Sequence, residues 1–430
     1  MRFAFWLTHR EIVVTGRQLI PKDKPVIFAA NHQNALMDPL ALAYTNPLQS
    51  VWLTRADIFK SKATRSFLKY LKMLPIYRIR DGKENLSNNE QIFAQVTQLL
   101  ENKQSVALFP EAAHSGRRQM LPHKKAIPRI ALEAEEKNNF GLDLQIVPVG
   151  IFYSHYWHFD RTLIVQYGEP IKVDDYREEY AANPQKAMLS LRDEIYNQLS
   201  PLVLQINSER YYYEYENIRQ LAGKAYSKTR QFSRNPSLQL FEAEKELIAK
   251  IEQIEINRPK LFAELLKETN EYFGDVENVG LSDELVGKAG EARWQVFSAQ
   301  LLAAILSLPL FVFGFVFNVV PFSVPRSIFR RKVKDTGFLS TFNFVVGLIA
   351  FPLFYLFAAR LLFKLTDSLA ASAIAFILMP FAGKYAYQLL VFYRHILYQV
   401  LFLAGSKSIK RLVNRRNELI ESVFGMLKTN

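Results

Sequence analysis

Two stretches of this chain restrict its fold more than anything else in it. Ala299 to Phe322 runs for 24 residues without a charge, and Gly337 to Ala359 for 23. At about 1.5 Å of rise per residue, either stretch as a helix can cross a bilayer core of about 30 Å. A chain of 430 residues has no obvious soluble core in which to bury both. Residues 299–404 are therefore expected to form membrane-embedded helices, with Pro309 a candidate kink in the first. Ser368 to Gly383 is a third uncharged run, but at 16 residues it is marginal for a span. Lys384 to Leu403 carries only Lys384, Arg394 and His395 among apolar and aromatic residues, and reads as a fourth membrane helix or as one lying in the interface.

Charge gives the topology two conflicting signs. The segment Ser323–Asp335, read as a loop, holds Arg326, Arg330, Arg331, Lys332 and Lys334 against Asp335, which favours the cytoplasmic side. If the first run spans, that loop and the N-terminal part of the chain lie on opposite faces. The tail after Gly405 is basic as well, so re-entrant or monotopic hairpins fit better than a ladder of spans. The net charge of +13 admits nucleic acid or anionic lipid as a partner. With much of the basic charge beside the apolar runs, a lipid bilayer with anionic phospholipids is expected and nucleic acid is not. Phe3, Phe5, Trp6 and Leu7 beside Arg2 suit a headgroup boundary or an ordinary first helix, and no signal-peptide cleavage site follows them.

Residues 1–205 alternate strand-like and helix-like segments. Strands are expected near 11–14, 25–30, 51–54, 74–79, 106–109, 144–152 and 162–167, and helices near 58–71, 88–101, 125–136 and 185–198. The fold class is α/β, a central mixed sheet flanked by helices. Residues 206–298 lose the apolar runs and carry Glu, Lys, Gln and Leu at helical spacing, as in Leu238, Phe241, Leu247 and Ile251. Two to four helices are expected there, then the membrane-embedded helices of 299–404 and a basic tail over 405–430.

The chemistry is concentrated at two strand ends. The apolar run Pro25–Ala30 leads into Asn31-His32-Gln33-Asn34-Ala35-Leu36-Met37-Asp38-Pro39. A histidine with an aspartate a turn or so later is the arrangement of a positioned base: the carboxylate holds one ring nitrogen and frees the other to take a proton from a hydroxyl. The second end is Val106-Ala107-Leu108-Phe109-Pro110-Glu111. Each has a plainer reading: His32 as a structural hydrogen-bonder, Asp38 as a helix cap, Glu111 as a turn residue. Cysteine is absent, which excludes a thiolate nucleophile and Cys-based metal sites. His155 and His158 lack supporting ligands, so no metal is expected. No phosphate loop or dinucleotide fingerprint appears.

These residues resemble the glycerophospholipid acyltransferases over about residues 10–200, with four blocks in the family's order. His32 and Asp38 match the first block, Pro75-Ile76-Tyr77-Arg78 the second, Phe109-Pro110-Glu111 with Ala112-Ala113-His114-Ser115 the third, and Ile146-Val147-Pro148-Val149-Gly150 the fourth. Tyr167-Gly168-Glu169-Pro170-Ile171 resembles the Gly-x-Pro-Ile that follows. Five residues separate His32 from Asp38 where the family commonly has four, a spacing similar to the fungal-type glycerol-3-phosphate and dihydroxyacetone-phosphate acyltransferases. Ala112 and Ala113 replace the usual Gly and Thr, and His114 the usual Arg.

The resemblance implies a membrane-bound enzyme of phospholipid synthesis that moves a fatty acyl group from acyl-CoA or acyl-carrier protein to a hydroxyl of glycerol-3-phosphate or its 1-acyl derivative. It implies no cofactor beyond the thioester co-substrate. His32 and Asp38 would be catalytic. Arg78, with Arg80 as a competitor, would bind the acceptor phosphate. Glu111 would hold a glycerol hydroxyl or orient Arg78, with Ser115 and Arg117 (or Arg118) also on the substrate side. The catalytic domain would face the cytoplasm. Rival readings are a lysophospholipid-remodelling acyltransferase or transacylase, and a non-catalytic lipid-binding scaffold. On a straight helix six residues place His32 and Asp38 about 600° apart, so a loop or bulge must intervene.

Overall fold

The computed structural model describes residues 2–59, 61–77, 88–332 and 336–428. The N-terminal part comprises α1 (Arg2–Thr8), β1 (His9–Thr15), β2 (Val26–Ala30), α2 (Met37–Thr45), β3 (Val51–Arg55), α3 (Lys62–Tyr70), β4 (Met73–Ile76), α4 (Asn88–Glu101), β5 (Val106–Leu108), α5 (Ala126–Lys137), β6 (Gln145–Tyr153), β7 (Arg161–Tyr167), β8 (Ile171–Lys172), α6 (Arg177–Ala182) and α7 (Pro184–Leu199). The strands form one sheet in the order β1-β7-β6-β2-β5-β3-β4, with β8 paired to β6. From β6 to β4 the neighbours run parallel, while β7 and β8 lie antiparallel to β6. The sheet is mixed, as expected.

Its central strands are apolar on both faces because both are covered. In β2, Ile27 and Ala29 pack with Leu100, Ile127 and Ile130 from α4 and α5. Val26, Phe28 and Ala30 point the other way, toward Phe5 of α1 and Met37, Ala41 and Leu42 of α2. Gly150 of the fourth block sits under the chain at residue 202: a Cβ there would meet Leu202 O at 2.2 Å. That position needs glycine for close approach.

Beyond the sheet come α8 (Tyr212–Ser227), α9 (Pro236–Asn257), α10 (Pro259–Asn278) and α11 (Asp283–Gly290), then α12 (Trp294–Lys332), α13 (Leu339–Thr366), α14 (Leu369–Leu403) and α15 (Lys407–Lys428). The helical segment shares a core with the sheet, where Phe152 and Ile164 meet Phe241, Leu247 and Ile251. The basic tail is a helix in that unit. It buries Ile409, Leu412, Val413 and Leu419, and Arg415 and Arg416 pair with Asp275 and Asp283 at 2.9 and 2.8 Å. Acidic neighbours, not lipid, answer those two charges.

Among the described residues, three helices are long and apolar enough to cross a membrane, within Val296–Pro325, Leu339–Thr366 and Leu369–Leu403. Two expectations are corrected here. Residues 323–332 of the basic stretch are helix rather than loop, since α12 continues to Lys332 through Pro309, Pro321 and Pro325; residues 333–335 lie outside the described residues. The third and fourth apolar runs are one 35-residue helix, α14. Lys384 does not interrupt it, because its Nζ donates to the carbonyls of Trp6 and His9, and its charge lies 4.2 Å from the Trp6 ring centroid. The helices close on one another around Asn318. Its amide donates to Gly314 O and Met379 O, and its Oδ1 accepts from Tyr355. Gly314 lets α12 touch α14, since a Cβ there would lie 2.3 Å from Ala382 O.

Candidate active site

Strand adjacency brings the two motif ends together. In the β2–β5 pair, Ala29 is in register with Leu108, so His32 and Glu111 each stand three residues past the same rung. Ligands of open α/β sheets gather at the carboxyl ends of such strands.

The His32 Nδ1 lies 2.9 Å from Asp38 Oδ2. The five intervening residues permit this because the chain turns before the helix begins. Ala35 takes a left-handed φ of 40°, Met37 N donates to Asn34 O at 2.9 Å, and α2 starts only at Met37. Asp38 then reaches back over the turn, and its Oδ2 also accepts from Gln33 N and Asn34 N at 2.8 and 2.7 Å. The carboxylate is 1% exposed and the imidazole 16%. The face of the His32 ring stacks on Phe109, centroids 4.1 Å apart, and its edge meets His114. Among the described residues Nε2 has no hydrogen-bond partner, so the pair has the form of a base held at one nitrogen and open at the other.

Glu111 is a main-chain brace. Its Oε1 accepts from His32 N at 2.7 Å and its Oε2 from Leu121 N at 2.8 Å. Burial pushes its carboxyl up to about 8 against the pull of those two amides. Ser115 supports the same loop: its N donates to His32 O, while its hydroxyl closes a turn with Arg117. Arg117 lies over the rings of Tyr212 and Tyr213, 5.1 and 5.6 Å from their centroids. Arg118 is buried, donates to Tyr153 O and Ser154 O, and pairs with Glu216 at 2.7 Å. It is committed to the fold rather than open to a phosphate. Arg78 and Arg80 lie outside the described residues. Pro75 and Ile76 end β4, and Tyr77 is hydrogen-bonded to Asn89. Ala112 has φ 56°, the left-handed conformation that glycine adopts without penalty and alanine does not.

Sequence reasoning missed the groups behind Asp38. Its Oδ1 and the Tyr153 hydroxyl are both buried, and among the described residues neither makes a hydrogen bond of good geometry. Burial, then the Asp38 charge, holds the Tyr153 phenol well above its usual value. Arg161 lies 4.8 Å from the Tyr153 ring centroid. An arginine opening an otherwise apolar strand was the available signal. His155 and His158 stack at 4.6 Å.

Residues 11–152 match the acyltransferase family model. With the sheet and the His32–Asp38 pair in place, this segment is an acyltransferase domain. The likeness to known proteins runs beyond it. Glycerol-3-phosphate O-acyltransferase 2 of Saccharomyces cerevisiae is 26% identical over 380 residues, 81% of this chain and 48% of the yeast protein. Glycerol-3-phosphate O-acyltransferase 1 of the same yeast is 23% identical over 75% of this chain and 43% of its own length. The chain thus spans about half the length of these curated relatives. Among solved structures, the 1-acyl-sn-glycerophosphate (LPA) acyltransferase PlsC from Thermotoga maritima matches 47% of this chain and 74% of its own, at 19% identity and a TM-score of 0.34.

Proposed function

We propose that this chain is a membrane-bound acyltransferase of phospholipid synthesis. It moves a fatty acyl group from acyl-CoA or acyl-carrier protein to a hydroxyl of glycerol-3-phosphate or 1-acylglycerol-3-phosphate. The observation that carries the reading is the His32 Nδ1–Asp38 Oδ2 contact of 2.9 Å at the mouth of the parallel strands. The names of the two yeast relatives favour glycerol-3-phosphate as acceptor.

In this mechanism His32 Nε2 takes the acceptor's hydroxyl proton as the oxygen attacks the thioester carbonyl. Asp38 balances the imidazolium charge. The tetrahedral intermediate collapses, the C–S bond breaks, and the imidazolium returns the proton to the departing thiolate. A thiol of pKa about 8.5 leaves readily. Glu111 and Ser115 act from behind, fixing the His32 main chain at its N–H and C=O.

The catalytic face is assigned to the cytoplasm. Arg330, Arg331 and Lys332 end α12 a few residues before Ser340, which touches the catalytic domain. The basic cluster and the site therefore share a side, and such clusters favour the cytoplasm.

The full chain in phospholipid vesicles, given labelled acyl-CoA and glycerol-3-phosphate, is expected to yield lysophosphatidate. His32→Ala should lower turnover about 10²–10⁴-fold. Undiminished turnover in that variant removes His32 from the mechanism. Product formed from phospholipid with no thioester present would make the chain a transacylase.

A further inference from the structure

The catalytic loop is held from outside its own domain, about three hundred residues away. Leu36 N, at the turn between His32 and Asp38, donates to Thr341 Oγ1 at 3.1 Å. Thr341 lies in the first turn of α13, an apolar helix long enough to cross a bilayer. The residue before it, Ser340, is buried. Its hydroxyl accepts from Arg161 Nη1 at 2.7 Å and donates to Tyr156 O. Tyr156 in turn donates its own hydroxyl to Gln33 Oε1 at 2.5 Å, which closes a second path onto the same loop. A third contact is aromatic: Phe338 meets His114 edge to face at 4.7 Å, and His114 meets the His32 ring.

Arg161 ties this hydroxyl pair to the charge behind the site. It is 5% exposed. Besides Ser340 it donates to Tyr156 O and to His9 Nε2. Burial and the Arg161 charge hold His9 down to about 3, so its ring is neutral and its Nε2 accepts. The guanidinium lies over Tyr153, whose hydroxyl feels the Asp38 carboxylate. A serine and a threonine in sequence at the head of an apolar helix thus bond the two flanks of the dyad.

We propose that the first turn of α13 is a working part of the catalytic centre. Ser340 and Thr341 are positioning residues that hold the 33–38 turn and Arg161, so that seating of the apolar helix sets the His32–Asp38 geometry. The two hydroxyls touch no reacting atom. Thr341 acts through Leu36 N–H, which sits two residues before Asp38 in a turn whose Gln33 and Asn34 amides already converge on that carboxylate, and Ser340 acts through Arg161 and Tyr156. Loss of the Thr341 acceptor leaves that turn with an unpaired amide and greater freedom, and the carboxylate it organises drifts from the imidazole.

The kinetic part of this inference rests on the acyl-transfer reading; the structural part does not. Hydrogen–deuterium exchange of the full chain in phosphatidylcholine–phosphatidylglycerol vesicles reads the loop directly. In Ser340→Ala/Thr341→Val, which removes the three hydrogen bonds of the two hydroxyls, amides of residues 33–36 should exchange about tenfold faster, while those of 26–30 in β2 stay protected. kcat should fall about tenfold at unchanged KM, and Thr341→Ser in place of Thr341→Val should restore the part of both effects that runs through Leu36. If the double variant does not fold, Thr341→Val alone carries the test through the exchange at Leu36. Unchanged exchange over 33–36 in a folded variant overturns the proposal. Absence of acyl transfer by the unmutated chain, with the loop still responding to the substitutions, would instead sink the acyl-transfer reading and leave the coupling intact.

Discussion

Glu111, buried, and Glu216, half-buried, are two acids reached by one loop, and they are held in opposite ways. Glu111, 2% exposed, faces the main-chain amides of His32 and Leu121. Glu216, on α8, faces Arg118 from that loop at 2.7 Å and Arg219 from its own helix at 2.7 Å. Burial raises the carboxyl of Glu111 to about 8, because amide dipoles offset only part of the lost hydration. Burial acts on Glu216 too, but two guanidiniums outweigh it and pull the carboxyl down to about 2. The His32 end of the loop is thus organised by neutral main-chain donors. The seam with the helical unit is clamped by full charges.

The largest effect should come from breaking the clamp. Glu216→Leu leaves Arg118, 3% exposed at its side chain, and Arg219, 5%, with an uncompensated share of charge. A loss of about 3–5 kcal/mol is expected, read by chemical denaturation in detergent. A loss under about 1 kcal/mol would mean the seam is held by its apolar core alone.

A smaller effect, of opposite sign at the two acids, separates them by pH. Glu111 has a raised folded value, so between about 4.5 and about 8 the folded state binds the extra proton and stability falls as pH rises. Glu111→Gln should therefore flatten a decline of about 1–3 kcal/mol across that window. Glu216 has a lowered value, so its contribution is present above about 4.5 and is lost as pH falls toward about 2. Glu216→Gln should remove an acid-side loss only. Identical stability differences from wild type at pH 5 and pH 8 for Glu111→Gln would show that its carboxyl does not titrate there.

The smallest effect concerns the backbone between the two. Ala112, one residue after Glu111, holds a φ of 56°. Ala112→Gly should raise stability by about 1 kcal/mol by relieving the left-handed strain, visible as a higher melting temperature. Destabilisation would mean the methyl group is packed rather than strained.

Much of the sheet was legible because its central strands are continuous apolar runs closed by Pro, Gly or polar residues. The motif blocks then fall at strand ends by position alone. The His32–Asp38 contact was read from the motif, but the form of the turn that makes it was not, since six residues of straight helix would separate the two. It depends on the turn at Ala35, whose left-handed backbone nothing in an alanine announces. The resemblance gave Glu111 a glycerol hydroxyl or Arg78 to hold; local sequence shows the carboxylate but not the amides of His32 and Leu121 that meet it. The α14 helix was divided at Lys384 because a lone lysine looks like the end of a membrane run. Its partners, two carbonyls near residue 9, lie some 375 positions earlier. Ser340 and Thr341 were hidden for the same reason: hydrogen bonds across the whole chain leave no periodic trace.

Lys384 also works as a depth gauge. From Leu369, where α14 begins, to Lys384 is 15 residues, about 22 Å of helix. That is more than half of a bilayer's oily thickness of about 30 Å, and less than all of it. With the ammonium fastened to the carbonyls of Trp6 and His9, the apolar helix and the first strand are tied at one place along the helix. On the proposed membrane reading, that tie cuts to length the distance between the imidazole and the headgroup plane.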